Sequence, residues 1–334
     1  MRRAFILCLL LLPALLPPSG RTAPAPAEPA IRVVLLGTAG GPVIRPGRLG
    51  IGTLVLAGDQ TLLFDAGRGV PGALQRVPVD PARITTVFLT HLHSDHLVAL
   101  PELLLFPWAS AGRRTPFRVI GPSGTRSMME HLQAAFAYDI HVRRDIDERF
   151  PAEGIAVEAA DIQPGVVYEA NGVKVTAFLV DHAPIAPAFG YRVDYGGRAV
   201  VLSGDTRPSP TLVEFARGVD LLIHEVGRWK DDPALEGDPD ERLSGTLTRG
   251  QARMIAAHHT DPVEAGEVFD QAKPRLAVFS HYAMAGSDLL SLVRRHYAGR
   301  VEVGQDGMVI DIGDDVRIRP PTATRPAAPA RRRQ

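Results

Sequence analysis

Apolar and polar positions fall along this chain in short blocks. Ile31–Leu36, Thr53–Leu56, Thr61–Phe64 and Thr85–Leu89 are brief β-branched or apolar runs bounded by Gly, Pro and Asp, the pattern of strands. Val173–Val180, Phe189–Val193, Ala199–Leu202, Leu221–Ile223 and Leu276–Phe279 repeat the pattern farther along. Ser123–Ala137 and Ser287–Tyr297 instead space their apolar residues as helices do. Asp261-Pro262-Val263-Glu264 joins an N-cap residue, a first-turn proline and an acid at the third helical position, so it predicts a helix start. His258 and His259 then fall in the loop just before that helix. The order of the blocks predicts a mixed α/β fold without a short repeat.

Both ends of the chain depart from this pattern. Met1-Arg2-Arg3 precedes an apolar run that Pro13 breaks and that ends by Leu16, short of the ~20 residues a membrane-spanning helix needs. This predicts a signal peptide over residues 1–27, cut near Ala25-Pro26-Ala27, a periplasmic or secreted protein, and no stable membrane span. Residues 319–334, ending in three arginines and Gln334, read as a disordered basic tail, which leaves a folded unit over residues 28–318.

Composition changes the picture in two ways. With 37 basic and 37 acidic residues the chain has no charge bias toward nucleic acid, and cleavage near Ala27 removes Arg2, Arg3 and Arg21 but no acid, leaving a mildly acidic product. It also removes Cys8, the one cysteine. The mature chain then holds no disulfide, and any metal site in it is built from nitrogen and oxygen ligands.

Such ligands are concentrated in one place. The apolar run ending at Thr90 leads directly into His91-Leu92-His93-Ser94-Asp95-His96. In an extended segment residues two apart point the same way, so His91 and His93 can share one metal while the following turn redirects Asp95 and His96 toward another. Imidazole and carboxylate suit zinc, and they also admit manganese or iron. A solvated His-rich loop is the competing reading, and the density of ligands at the end of a buried strand weighs against it.

The segment HLHSDH resembles the HxHxDH signature of metallo-β-lactamase-fold enzymes, and further matches follow in the family's order. Phe64-Asp65-Ala66-Gly67 is similar to its upstream strand-end Asp and Gly. His182 resembles its third His ligand, Asp205 in Ser203-Gly204-Asp205-Thr206 its bridging carboxylate, and His281 its last ligand. The resemblance implies a four-layer αββα sandwich and a hydrolase domain over residues 28–318. It implies one metal on His91, His93 and His182, a second on Asp95, His96 and His281, and Asp205 bridging them, two zinc ions in all. Asp95 then also counts among the catalytic groups, and Asp65 orients the ligand loop.

Shorter matches narrow the branch. Leu221-Leu222-Ile223-His224-Glu225 and His258-His259-Thr260 resemble elements of the ribonuclease Z and arylsulfatase-like group, which implies catalytic roles for Glu225 and His259, a proton donor oriented by a carboxylate. Only 22 residues separate His182 from Asp205, whereas many tRNA-processing members carry an RNA-gripping arm as an insertion. Together with export and mild acidity, this predicts a small anionic ester as substrate, a phosphodiester or a sulfate ester, and no nucleic-acid polymer. A lactonase or other cyclic-ester or β-lactam hydrolase is the alternative within the fold. A non-catalytic metal- or partner-binding protein is the alternative outside it, and a homodimer is left open. Arg45, Arg48, Arg113, Arg114 and Arg207 read as solvated surface charge, and Phe106 and Trp108 as core.

Overall fold

The structure, a computed structural model, describes residues 28–84, 86–244, 247–282 and 286–319. The expected signal peptide over 1–27 and the tail beyond Arg319 lie outside the described residues. Arg319 itself, assigned to the tail from sequence, closes the last strand.

Strands β1 (Ile31–Gly37), β2 (Gly52–Ala57), β3 (Gln60–Phe64), β4 (Thr86–Phe88), β5 (Phe117–Gly121) and β6 (Val157–Asp161) lie side by side in chain order. The chain then builds a second sheet from β7 (Gly165–Ala170), β8 (Val173–His182), β9 (Ile185–Tyr195), β10 (Arg198–Leu202) and β11 (Leu221–Val226). After a small hairpin of β12 (Arg242–Ser244) and β13 (Leu247–Thr248), strands β14 (Ala277–Tyr282) and β15 (Val301–Val303) extend that second sheet beyond β11. Finally β16 (Val309–Ile312) and β17 (Val316–Arg319) return to the first sheet beside β1.

The central strands β1, β2, β4, β10, β11 and β14 are buried on both faces, which explains why they read as continuous apolar runs. In β1, Val33 and Leu35 point into the space between the sheets, while Val34 and Leu36 point to the helices outside. In β10, Val200 and Leu202 face the first sheet and Ala199 and Val201 face the opposite helices. Helices Leu100–Ser110 and Thr125–Ala135 cover the first sheet, and Pro210–Ala216, Pro262–Ala272 and Gly286–Val293 cover the second. The result is the expected αββα sandwich. Phe64 stacks on Phe88 at a 4.9 Å centroid distance, with Tyr191 tilted against Phe64 and edge-on to Phe88, tying the sheets together where β3 and β4 end.

The helix foreseen at Asp261 is present, with Asp261 and Glu264 forming a reciprocal capping box. Two side-chain readings need correction. Phe106 is 56% exposed, on the outer face of a helix whose Leu103, Leu104 and Trp108 turn inward. Arg113 is buried rather than solvated. Its Nη1 donates to Leu103 O at 2.8 Å, its Nη2 to Leu104 O at 2.5 Å and its Nε to Gly154 O at 2.9 Å. The cause lies four residues after Leu103: Pro107 sits inside the helix without an N–H, so the Leu103 carbonyl needs another donor. Burial lowers the Arg113 pKa to about 10, still charged at neutral pH. Arg113→Met removes three buried hydrogen bonds, one of them to the carbonyl that Pro107 leaves without its helical donor, and is expected to cost roughly 3 kcal/mol, read from urea unfolding at an unchanged m-value.

Among the described residues no helix is long and apolar enough to cross a membrane.

Candidate metal centre

Strands β3, β4, β8, β10, β11 and β14 end at one edge of the sandwich, and each delivers a polar residue there. Asp65 follows β3 with φ of 59°, and His91 and His93 follow β4. Ser94–His96 forms a single 3-10 turn that swings Asp95 and His96 away from His93. His182 ends β8, Asp205 lies just beyond β10, Glu225 is in β11 and His281 in β14. His259 joins them from the loop before Pro262–Ala272. Gly204 turns the chain at φ of 62°, where a Cβ would sit 2.5 Å from Phe189 O, so glycine is needed to bring Asp205 in.

The seven candidate ligands His91, His93, Asp95, His96, His182, Asp205 and His281 are brought together with Glu225 and His259. His91 Nε2 and His182 Nε2 lie 2.9 and 3.3 Å from His93 Nδ1, forming one group. His96 Nε2, His281 Nε2 and Asp95 Oδ2 form a second, at 3.2 to 3.5 Å from one another. Asp205 Oδ2 stands between them, 3.4 Å from His96 Nε2, 3.8 Å from His91 Nε2 and 3.9 Å from His182 Nε2.

The donor set fits a cation. His182 donates its Nδ1 proton to His258 O at 3.0 Å, so its Nε2 presents a lone pair, and that lone pair faces the His93 nitrogen. Burial lowers the pKa of His182 and of His93, and burial lowers that of His91 still further, so this group collects neutral imidazoles. Converging lone pairs at such distances repel unless a shared positive charge sits among them.

At the second group the carboxylates prevail. Burial opposes protonation of His96, but Asp205 and Asp65 overcome it and hold its pKa well above 6.5. Burial likewise opposes ionisation of Asp205, and His281 and His96 outweigh it, by charge and by the His96 hydrogen bond, and keep the carboxyl far below its usual range. The same anionic surroundings suit a bound cation as well as they suit a proton. Asp65 holds His96 Nδ1 at 2.8 Å, leaving Nε2 free to face the centre. Asp65 is itself fixed by the Thr90 N–H and hydroxyl at 2.9 and 3.0 Å.

Beside the centre, His259 Nδ1 lies 3.0 Å from Glu225 Oε2 and 4.0 Å from Asp205 Oδ2. Glu225 Oε1 accepts the N–H groups of Thr206 and Thr260, so the carboxylate is held from three sides. Burial opposes a charge on His259, yet Glu225, by charge and hydrogen bond, raises its pKa to about 9.

Two arginines read as surface charge serve the site's framework. Arg207 donates to Asp181, Ala183 O and Ala257 O, joining the loops of His182, Asp205 and His259. Arg48 bridges Thr38 O and Tyr282 O next to His281. Neither contact has a local sequence signal, because the partners are mostly backbone carbonyls, which any residue type carries, and folding brings them near. Thr90, directly before His91, was missed although its position offered a cue.

Residues 60–282 match the family described as the beta-lactamase superfamily domain. The chain is similar to the ribonuclease Z of Mycobacterium marinum (strain ATCC BAA-535 / M), 35% identical over 285 residues, 83% of this chain and 96% of that relative. It is also similar to two solved structures. A metallo-β-lactamase fold protein from Bacillus subtilis superposes with a TM-score of 0.64 at 18% identity, over 84% of this chain and 99% of the other. The short form of human tRNase Z superposes with a TM-score of 0.62 at 21% identity, over 84% and 99%. At these identities the two structures establish the fold.

The ribonuclease Z match corrects two expectations from sequence. A small anionic ester as the substrate is overturned, and so is the exclusion of a nucleic-acid polymer. The physical reason is that the short His182-to-Asp205 interval, filled here by β9, β10 and their turns, shows only that one RNA-gripping insertion is missing. Net charge, in turn, averages over the whole surface and does not report the field at one cleft. The arylsulfatase-like reading finds no support among these relatives.

Proposed function

Since this chain belongs to the metallo-β-lactamase superfamily and, within it, to the ribonuclease Z family, we propose that it hydrolyses phosphodiester bonds in RNA, with precursor tRNA as the substrate. It is a metal-dependent hydrolase acting on ester bonds. The observation that carries the reading is the Glu225–His259 pair set 4.0 Å from the Asp205 carboxylate, beside a complete ligand set.

In this reading His91, His93 and His182 would hold one divalent ion, Asp95, His96 and His281 would hold another, and Asp205 would serve both, with zinc as the metal. Bound there, the ions supply Lewis-acid polarisation of the phosphoryl oxygens and activation of water near neutral pH. The chain's own residues do the rest. Asp65 and the His258 carbonyl fix the tautomers of His96 and His182, so that each offers Nε2. His259, kept protonated by Glu225, is the group placed to hand a proton to the leaving oxygen of the RNA chain. Asp95, beside His281, supplies negative charge to the second group.

Removal of metal tests this directly. After dialysis against a strong chelator, cleavage of precursor tRNA is expected to fall to background and to return on adding zinc, with elemental analysis giving two ions per active chain. Full cleavage by metal-free protein, or one ion per fully active chain, would refute the binuclear reading.

A further inference from the structure

His281 adopts φ of 50°, a left-handed conformation that a side chain with a Cβ adopts only when its surroundings enforce it. The enforcing contacts converge on Arg48. Its Nη1 donates to Tyr282 O at 3.0 Å, and its Nη2 donates to Thr38 O at 2.5 Å and to Thr38 Oγ1 at 3.1 Å. The guanidinium also lies over the Tyr282 ring, 3.8 Å from its centroid. One planar group thus joins the segment after β1 to the end of β14, a task that needs a rigid fork and a stacking face together.

The clamped segments carry contacts to His281. Tyr282 N donates to Thr38 O at 3.1 Å, and Gly40 N to Tyr282 O at 3.3 Å. Gly40 packs so closely that a Cβ there would lie 2.9 Å from the His281 carbonyl, and Gly41 N reaches His281 Nε2 at 3.2 Å. Asp306 anchors the other side, accepting from Thr38 Oγ1 and from Leu49 N at 2.8 and 2.6 Å.

We infer that Arg48 is a positioning residue for metal binding: by holding Tyr282 to Thr38 it keeps His281 aimed at Asp95 and His96, and it sets the affinity of that half of the centre alone. The inference rests on the reading that Asp95, His96 and His281 hold a metal. The half formed by His91, His93 and His182 hangs on other strands and does not depend on Arg48.

Zinc titrated into the metal-free full-length protein against a chromophoric chelator tests it, with thermal unfolding of the same metal-free samples. Wild type is expected to show two binding steps. In Arg48→Met one step should weaken by about 10- to 100-fold, the range for loss of a ligand-orienting partner, while the other stays within about twofold. Arg48→Lys keeps the charge but not the fork or the planar stack, and it should weaken the same step; it carries the test if Arg48→Met does not fold. In a His281→Ala background, Arg48→Met should cause no further loss, because the step it governs is already gone. Equal weakening of both steps, unchanged steps, or additive losses in the double variant would overturn the inference. Fewer than two steps in wild type would instead refute the binuclear reading on which it rests.

Discussion

Asp205→Ala is expected to lower kcat/KM on RNA by at least about a thousandfold, roughly 4 kcal/mol of transition-state stabilisation, and to release metal. The size follows from position. Asp205 is 3% exposed and its Oδ2 is within 4 Å of His91, His96, His182 and His259, so among the described residues it is the carboxylate that meets both ligand groups. Asp205→Asn separates charge from shape: with the outline kept, most of the loss should remain. Metal content and kcat/KM measured on the same samples decide the matter. Near-normal turnover with two ions bound would remove Asp205 from the centre.

The second large effect concerns Glu225 and His259. The donor form of His259 is the protonated one, and Glu225 raises its pKa to about 9. The proton is therefore present below that value and lost above it, which gives kcat/KM a falling limb on the alkaline side. Glu225→Gln removes the largest contribution raising that pKa, and the limb should move to lower pH by about 1 to 3 units. Bound cations draw the limb down in both proteins, so the shift between them is the quantity to measure. His259→Ala should remove the limb and slow the reaction by roughly 100- to 10,000-fold, the usual value of a general acid. The loss should be greater for an RNA leaving group than for a nitrophenolate, which leaves without a proton. A limb that stays in place in Glu225→Gln would mean that another group controls it.

The sequence disclosed the centre because its chemistry is local. Three imidazoles and a carboxylate in six residues, placed at the end of an apolar run, need no long-range information; the strands that lead to Asp205 and His281 are buried on both faces and so read as plain apolar blocks, while the strand of His182 shows a mostly buried face alternating with a more exposed one. The Asp261 helix was legible because a capping box is a matter of four adjacent residues. Edge strands were not: β6 (VEAAD) and β7 (GVVYEA) are half-exposed and show neither alternation nor an apolar run. Arg113 was misread because its burial answers a carbonyl left by Pro107, a debt visible only once the helix exists. Arg48 and Arg207 act on backbone carbonyls that folding brings near. The substrate was misread for a different reason. The ligands determine which bond can be cut, whereas the size of the molecule that bears the bond depends on surfaces that ligand spacing does not encode.

Turnover of precursor tRNA compared with small esters tests the account most directly. Metal-replete protein should be assayed on a precursor tRNA, bis(p-nitrophenyl) phosphate and p-nitrophenyl sulfate, with Asp205→Asn and chelator-treated protein as controls. kcat/KM for the precursor is expected to exceed that for the small phosphodiester by at least about a hundredfold, because contacts remote from the scissile bond contribute to the transition state, and both controls should abolish it. An intact precursor under conditions where either small ester is turned over would contradict it.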